Sequence, residues 1–478
     1  MRQRIQTLVA MAVLFLPAFG AAENVGGASA PSSPAAIAVV EGLEGDWDGA
    51  IKVGTGELRC AFHIKTADGA TTATMDSIDQ GVTGIPVSAV VLRGDRVKLD
   101  VASIGGAFEG QLSADARTLT GEWTQAGQRM PLTLARRASG VSQPELRRPQ
   151  NPAKPYPYRE EDVTFDNAAS RVGLAGTLTL PQGSGRFPAV VLIAGSGPND
   201  RNETVAGHQI FLVLADRLTR SGIAVLRFDK RGIGKSTGDY ASATTADFAG
   251  DAKAGVAYLK SRPEINPRAI GLIGHSEGGL IAPMIAARDS SVTFIVLLAG
   301  PGQRGDELMV TQNRLIARAS GTAPVNLDAA EAINRKVYAA VVNAQSTAEA
   351  AAAARAILGA GPAYIPPAAM DAQVKGISSN RFRFFLAYDP TPALRQVKCP
   401  VLAINGSIDL QVSARENLQA IQTALANNPA AEVRELPDLN HLFQTAKTGL
   451  PSEYVQIEET IAPSALDLIA NWISVRVR

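Results

Sequence analysis

The sequence contains few of the residues that build metal centres or disulfide frameworks. Its 478 residues include two cysteines and four histidines, and these do not occur at metal-ligand spacing. Neither sign of charge dominates, because 46 Lys and Arg residues balance 45 Asp and Glu residues. A basic stripe or a long acidic run is also missing, which argues against a nucleic-acid partner. We therefore expect a protein that uses neither a structural metal nor a nucleic acid.

Long hydrophobic runs are missing as well, apart from one near the N-terminus. Two arginines precede the apolar residues 8–16, and small residues follow up to Ala22. This pattern is typical of a secretory signal peptide. It is too short for a transmembrane helix, which needs about 20 apolar residues. We predict that residues 1–22 are removed and that the chain is exported, periplasmic or secreted, with no stable membrane insertion.

The two cysteines, Cys60 and Cys399, lie far apart in the sequence and have apolar neighbours. Export would permit a disulfide between them. We interpret each as a small buried hydrophobic side chain and leave their pairing open. The oligomeric state is open as well.

The N-terminal third of the chain predicts a β-rich domain. Residues 43–137 alternate apolar and polar side chains, and turn signals separate the runs. Such alternation predicts an antiparallel meander of about eight strands that curls into a small barrel-like domain. The sequence around Trp47 resembles the start of lipocalin-like barrels. Residues 23–42 are rich in Gly, Ala, Ser and Pro and are expected to be disordered. The proline-rich residues 138–159 predict a semi-rigid linker.

Residues 160–478 show a different pattern, in which continuous apolar runs alternate with helical segments. Apolar strands of this kind are buried on both faces, so the pattern predicts an α/β fold with a mostly parallel, doubly wound sheet. The alternation stops over about residues 301–395, where alanine-rich helical sequence predicts an inserted helical cap. Helical segments are predicted over residues 205–220 and 327–358, among others. The apolar runs are residues 187–194, 223–228, 269–273, 294–298 and 401–404.

A candidate nucleophile lies where one of these runs meets a helix. Residues 274–278 read Gly-His-Ser-Glu-Gly. In the Gly-x-Ser-x-Gly pattern the serine projects from a tight strand-to-helix turn, so the positions two before and two after it must be small. Free N–H groups at the start of the helix favour the negative charge that develops there. We predict that Ser276 is the nucleophile of a serine hydrolase.

A serine nucleophile needs an adjacent base. Three of the four histidines fit that role poorly. His63 lies on the polar face of a predicted strand, His208 lies near the start of a helix, and His275 points away from its neighbour inside the turn. Elimination selects His441, which follows the last predicted strand.

The acid that orients such a base lies between the serine and the histidine in α/β-hydrolase chain order. Asp409 fits this order and follows the end of a strand, where ligand sites of open α/β sheets form. Asp438 is the rival, but it stands three residues before His441 and is more typical of a turn residue. We predict that Asp409 is the acid.

Two backbone N–H groups should stabilise the oxyanion. Glu277, the residue after the serine, supplies one, and Ser196 or Gly197 supplies the other from a glycine-rich loop. Residues 229–236 end like a phosphate-binding loop, but Asp229 stands where the first glycine is required. We interpret them as a strand-end turn that flanks the site.

Together these residues resemble the α/β-hydrolase superfamily, and more narrowly bacterial carboxylesterases of the serine-aminopeptidase-like branch with a β-rich N-terminal domain. The resemblance covers most of residues 160–478. It implies cleavage of small-molecule esters through an acyl-enzyme, with no metal or organic cofactor. The matching segments are residues 195–200, 228–236, 274–279, 405–412 and 440–441.

Three functions compete. A serine peptidase of the aminopeptidase or acyl-peptide type would use the same triad, with Asp328 and Glu331 as candidates to capture a free amine. A binding module would hold an apolar ligand in the β-domain beside an inactive hydrolase domain. We favour a carboxylesterase, since apolar cap residues could contact an acyl chain. Those cap residues are Phe382, Phe384, Phe385 and Leu386.

Overall fold

The computed structural model describes residues 42–53, 56–67, 70–78, 82–125, 128–138, 147–361, 365 and 367–477. The predicted signal peptide lies outside the described residues. So do all but Gly42 of the predicted disordered segment and residues 139–146 of the predicted linker. Within the described part of the chain, no helix is both long and apolar enough to cross a membrane.

The described N-terminal region forms one antiparallel sheet of nine strands, one more than the approximate count expected, in the order β4-β3-β2-β1-β9-β8-β7-β6-β5. The link between the two edge strands bonds to both halves of the sheet. Val87 N–H donates to the Ala73 carbonyl in β3 (3.0 Å), and Ser88 N–H donates to the Asp100 carbonyl in β6 (2.7 Å). The sheet is therefore curled into a half-barrel. The strands are β1 Gly45–Val53, β2 Gly56–Ala67, β3 Ala70–Ser77, β4 Val82–Pro86, β5 Ala89–Arg93, β6 Arg96–Val101, β7 Gly106–Leu112, β8 Thr118–Gln125 and β9 Gln128–Arg136.

Large side chains fill the inside of this half-barrel. Trp47, Phe62, Phe108 and Trp123 are completely buried there. Burial of each contributes about 1.5–3 kcal/mol or more to the stability of the fold. Arg136 covers the ring of Trp47, with its guanidinium carbon 4.4 Å from the ring centroid. The interior is thus a packed core, which disfavours the binding-module hypothesis.

The second sheet has eight strands in the order β10-β11-β15-β12-β16-β17-β18-β19. The pairs from β15 to β19 are parallel, and β10 and β11 add an antiparallel edge. This mixed sheet confirms the predicted α/β-hydrolase fold. The strands are β10 Arg159–Asn167, β11 Val172–Leu180, β12 Phe187–Ile193, β15 Ala224–Phe228, β16 Ile265–His275, β17 Phe294–Leu298, β18 Val401–Gly406 and β19 Ala431–Leu436, and a separate hairpin pairs β13 Thr204–Val205 with β14 His208–Gln209.

Helices cover both faces of this sheet. Apolar side chains of α2, α3 and α10 pack on one face, and those of α1 and α11 pack on the other. Six helices, α4 to α9, stand between β17 and β18. Helices α4 to α8 share an apolar core and form the cap, whereas Leu394 of α9 packs in the core beside the mixed sheet. The helices are α1 Ile210–Arg220, α2 Thr245–Ser261, α3 Gly278–Ala286, α4 Gly305–Ala319, α5 Pro324–Asn343, α6 Thr347–Gly359, α7 Pro367–Ser378, α8 Asn380–Ala387, α9 Thr391–Gln396, α10 Ala414–Ala424 and α11 Pro463–Arg476.

Two of the predicted helical segments differ from the structure. The helix expected over residues 205–220 begins at Ile210, because the small hairpin occupies residues 204–209 and turns at Gly207, whose φ is +77°. The helical stretch expected over residues 327–358 is two helices. Ser346 separates them and caps α6, since its Oγ accepts the N–H of Glu349 at 3.1 Å.

The two cysteines lie in different parts of the fold. Cys60 is fully buried in the half-barrel core, and Cys399 is partly buried just before β18. Burial raises the pKa of the Cys399 thiol to about 11. Both environments fit small buried apolar side chains.

Candidate active site

Ser276 lies at the turn between β16 and α3, at the carboxyl edge of the mixed sheet. Its φ is +52°, in the left-handed region that residues with a Cβ rarely adopt. Its N–H donates to the Leu298 carbonyl at the end of β17 (2.8 Å). Strained residues of this kind concentrate at functional sites. The serine is half-buried at this end of the sheet.

Two glycines make this turn possible. A Cβ on Gly274 would lie 2.0 Å from the carbonyl oxygen of Gly278, and a Cβ on Gly278 would lie 2.0 Å from the carbonyl oxygen of Ile193. Any larger residue at either position would push α3 away from the strands. The spacing of the motif is thus a packing requirement of the turn that carries Ser276.

Asp409 and His441 form a buried pair at the same edge of the sheet. Nδ1 of His441 donates to Oδ2 of Asp409 at 2.7 Å, and both side chains are at least 95% buried. Oδ1 of Asp409 accepts the N–H groups of Gln411 (2.8 Å) and Val412 (2.9 Å), which fix the carboxylate. This arrangement leaves Nε2 of His441 available as a proton acceptor.

The loop of His441 is held against the turn of Ser276 by the neighbouring histidine. Nε2 of His275 donates to the His441 carbonyl at 3.0 Å, and the two rings lie 4.9 Å apart. Oγ of Ser276 makes no hydrogen bond within the described part of the chain. Catalytic hydrogen bonds often tighten only when substrate is bound. The structure therefore places the Asp409–His441 pair beside the serine turn, without a serine–histidine hydrogen bond.

The other residues that were weighed as the base or the acid lie in different surroundings. His63 lies between Asp46 (2.7 Å) and Asp76 (3.0 Å) on the half-barrel. His208 is buried, and its Nε2 donates to the Tyr454 carbonyl (2.8 Å); burial lowers the pKa of His208 to about 4. The rival acid Asp438 is exposed in a turn with φ +59°.

Sequence reasoning missed one buried acid, Glu203. Its Oε1 accepts Nδ1–H of His275 at 2.9 Å and the N–H of Gly195 at 2.5 Å, and its side chain is 2% exposed. Burial by itself would lower the pKa of His275, but the charge of Glu203 outweighs it and the pKa is raised. Glu203 thus links the loop of Gly195 to the turn of Ser276. The positive φ of Glu203, +46°, could not be read from the sequence.

The two backbone donors expected for an oxyanion flank the serine. Gly195 approaches so closely that its Cβ, if present, would lie 3.0 Å from Cβ of Ser276. Ser196 follows in this loop, and Glu277 follows the serine. Neither the Ser196 N–H nor the Glu277 N–H has a backbone acceptor among the described residues. Such free donors beside a nucleophile can stabilise a developing negative charge.

In the segment that resembles a phosphate loop, residues 229–236, the carboxylate of Asp229 occupies the place where a phosphate would bind. Asp229 accepts two hydrogen bonds from the guanidinium of Arg201 (3.1 and 2.8 Å) and one from the N–H of Lys235 (3.2 Å). A Cβ on Gly234 would lie 2.6 Å from the Asp229 carboxylate. A carboxylate in this place would repel a phosphate, so the segment is a turn beside the site.

Comparison with known proteins decides the family. The family model described as "Alpha/beta hydrolase family" matches residues 190–447, more than half of the chain. The chain belongs to the alpha/beta hydrolase family. It is a hydrolase enzyme of the carboxylesterase-like kind, as the sequence resemblance predicted.

Relatives of this hydrolase include characterised and uncharacterised proteins. Esterase EstD of Thermotoga maritima is 29% identical over 322 residues, which cover 67% of this chain and 68% of EstD. An uncharacterised 31.7 kDa protein of Escherichia coli is 26% identical over 56% of this chain and 88% of its own. Among solved structures, the Pyrococcus furiosus esterase Pf2001 is 19% identical, covering 67% of this chain and 94% of that one, with a TM-score of 0.42.

The apolar residues of α8, which were expected to contact an acyl chain, have other neighbours in the cap of this hydrolase. Phe382, Phe385 and Leu386 are buried in the cap's own core, so they do not form an open acyl-binding surface. Phe384 stacks on Tyr388 with ring centroids 5.8 Å apart. One cap residue that the sequence did not single out contacts the hydrolase domain.

That residue is Arg381, at the start of α8. Its guanidinium carbon lies 4.4 Å from the ring centroid of Tyr240, which in turn stacks on Phe248 at 5.8 Å.

Among the described residues of this hydrolase, no group of three His, Cys, Asp or Glu side chains could hold a metal ion.

Proposed function

We propose that this hydrolase cleaves carboxylic esters through an acyl-enzyme intermediate on Ser276. The observation that carries the proposal is the buried 2.7 Å bond between His441 and Asp409 beside a serine held at positive φ. The N–H groups of Ser196 and Glu277 complete the set as the oxyanion donors.

The reaction follows from this arrangement. Oγ of Ser276 attacks the ester carbonyl carbon while Nε2 of His441 takes the hydroxyl proton. The carbonyl π electrons move to the oxygen, and the N–H groups of Ser196 and Glu277 stabilise that negative charge. Asp409 holds the ring of His441 and stabilises the imidazolium that forms.

The second half of the cycle returns the enzyme to its starting state. The oxyanion re-forms the carbonyl and expels the alcohol, which takes the proton from His441. Water then loses a proton to His441 and attacks the acyl carbon. When the second tetrahedral intermediate collapses, the bond to Oγ of Ser276 breaks, Oγ takes the proton back from His441, and the carboxylic acid is released.

An esterase is favoured over a peptidase because the two candidate carboxylates of the cap already form ion pairs with arginines. Glu331 bonds to Arg314 (2.8 Å) and Arg335 (3.0 Å), and Asp328 pairs with Arg314 (2.9 Å). These arginines already neutralise the carboxylates that a free amine would need. The relative EstD is named an esterase, which supports the same choice.

A substrate panel tests the choice between ester and amide. Purified protein should hydrolyse p-nitrophenyl acetate or butyrate with kcat/KM at least about 100-fold above that for any aminoacyl p-nitroanilide. Glu331→Gln is the matched control, and it should leave both rates within about threefold because the carboxylate is only a cap ion pair. Faster anilide turnover, lost in Glu331→Gln, would establish the peptidase instead.

We further propose that the enzyme acts outside the cytoplasm, on the basis of the signal-like pattern of residues 1–22. The mature protein, isolated from the periplasm or medium of an expressing bacterium, should begin at Glu23. Intact-mass analysis measures this directly. A chain of full-length mass that remains in the cytoplasm would contradict export.

A further inference from the structure

Gly195, in the loop that carries one oxyanion donor, is held by buried side chains at both its N–H and its carbonyl. Its N–H donates to Glu203 (2.5 Å). Its carbonyl accepts from Nζ of Lys230 (2.5 Å) and from Nδ2 of Asn199 (2.7 Å). The backbone beside Ser276 is therefore fixed by Asn199 and Glu203, which follow it closely in the chain, and by Lys230, which is 35 residues away.

The carbonyl side of this contact determines where the neighbouring N–H points. The carbonyl of Gly195 and the N–H of Ser196 belong to one planar peptide, and in a trans peptide these two groups point in opposite directions. Donors that hold the Gly195 carbonyl therefore also fix the direction of the Ser196 N–H. A cation on a peptide carbonyl also polarises the peptide and strengthens its N–H as a donor.

Lys230 also contacts the side chain of Glu277, the residue whose backbone N–H is the second proposed donor. Its Nζ lies 3.3 Å from the carboxylate of Glu277, whose own N–H is the other proposed donor. Thr245 donates to the same carboxylate at 2.7 Å. One ammonium group thus bridges the peptide of Ser196 and the side chain of Glu277.

Burial of a lysine in this position is energetically unfavourable, which indicates that the lysine has a specific role there. Lys230 is 4% exposed, and its Nζ lies 4.4 Å from the ring centroid of Phe248. Burial lowers its pKa, while the carboxylate of Glu277 opposes that change. A buried ammonium group is strongly unfavourable without such partners.

We propose that Lys230 is a positioning residue of the oxyanion hole, which fixes the Ser196 and Glu277 N–H groups relative to each other and polarises the first of them. This inference rests on the proposed ester hydrolysis at Ser276. It gives the segment that resembles a phosphate loop a role in the reaction, through a residue that does not touch substrate.

The test compares transition-state affinity with substrate affinity. A trifluoromethyl ketone of matched acyl length accepts Oγ of Ser276 at its carbonyl carbon and leaves an oxyanion in the hole. In Lys230→Met, we expect kcat/KM for p-nitrophenyl butyrate and the affinity for the ketone to fall together by about 10- to 100-fold, with KM changed less than about threefold. A merely structural lysine would not move these two quantities together.

Arg231→Met is the matched control, because Arg231 is the next buried cation in the same turn. It pairs with Asp251 at 2.7 Å and makes no hydrogen bond to Gly195 or Glu277 in the described chain. Its loss should lower the melting temperature at least as much as Lys230→Met does. It should leave the ketone affinity within about threefold of wild type.

The possible outcomes separate the two proposals. Wild-type turnover together with unchanged ketone affinity in folded Lys230→Met would overturn the role of Lys230 alone. A wild-type enzyme with neither ester turnover nor ketone inhibition would overturn the proposed function, and this inference with it. If Lys230→Met does not fold, Asn199→Ala removes the other donor to the Gly195 carbonyl without removing a charge. It should weaken ketone binding severalfold at unchanged KM, and unchanged binding would overturn the proposal.

Discussion

Ser276→Ala is expected to lower kcat for p-nitrophenyl butyrate by about 10⁴- to 10⁶-fold, because no acyl-enzyme can form without Oγ. The stability of the fold should change little, since this hydroxyl has no hydrogen-bond partner among the described residues. Initial rates and the melting temperature of the same preparation measure both effects.

Ser407→Ala is the control for this prediction. Ser407 is an exposed serine at the same edge of the sheet, where its Oγ accepts the N–H of Asp438 at 2.9 Å. Its removal should leave kcat within about threefold, as is usual for surface substitutions. A Ser276→Ala enzyme that keeps more than a hundredth of wild-type kcat would contradict the assignment of the nucleophile.

Asp409→Asn is expected to lower kcat by about 10⁴-fold. The carboxylate of Asp409 accepts the Nδ1 proton of His441, so that Nε2 is the free base. An asparagine can present its NH₂ group to Nδ1, which would favour the wrong tautomer of the ring. The loss should be concentrated in kcat, because Asp409 does not contact the substrate in this mechanism.

Asp438→Asn is the natural comparison, since Asp438 is the other acid near His441. It is exposed and lies in a turn, so kcat should stay within about threefold. Steady-state kinetics of both variants on one ester decide which aspartate is the acid. A larger loss in Asp438→Asn than in Asp409→Asn would reverse the assignment of the acid.

Much of the fold could be predicted because its signals are local. Buried parallel strands appear as continuous apolar runs, and β17, Phe294–Leu298, coincides with the run from which it was predicted. The glycines around Ser276 mark a turn that only small residues permit. The pairing of β11 with β15 was not predicted, because the two strands are about 50 residues apart and their contact leaves no local pattern.

The supporting residues of the site were harder to predict, for a physical reason. Glu203 contacts His275 across 72 residues of sequence, and Lys230 contacts Glu277 across 47. Charged side chains are rarely buried, so an isolated Glu or Lys in a sequence is expected to be exposed. The phenylalanines of α8 were predicted to contact substrate, but two of them are buried in the cap core. An apolar pattern alone does not distinguish side chains that fill a core from side chains that face a substrate.

The central claim is that Ser276 is an activated nucleophile, and a fluorophosphonate probe tests it most directly. The phosphorus should become bonded to Oγ of Ser276 with loss of fluoride, and peptide mass spectrometry should locate the adduct in residues 274–279. We expect stoichiometric labelling of wild type and none of Ser276→Ala. Labelling at another serine, or an unlabelled but folded wild-type protein, would contradict it.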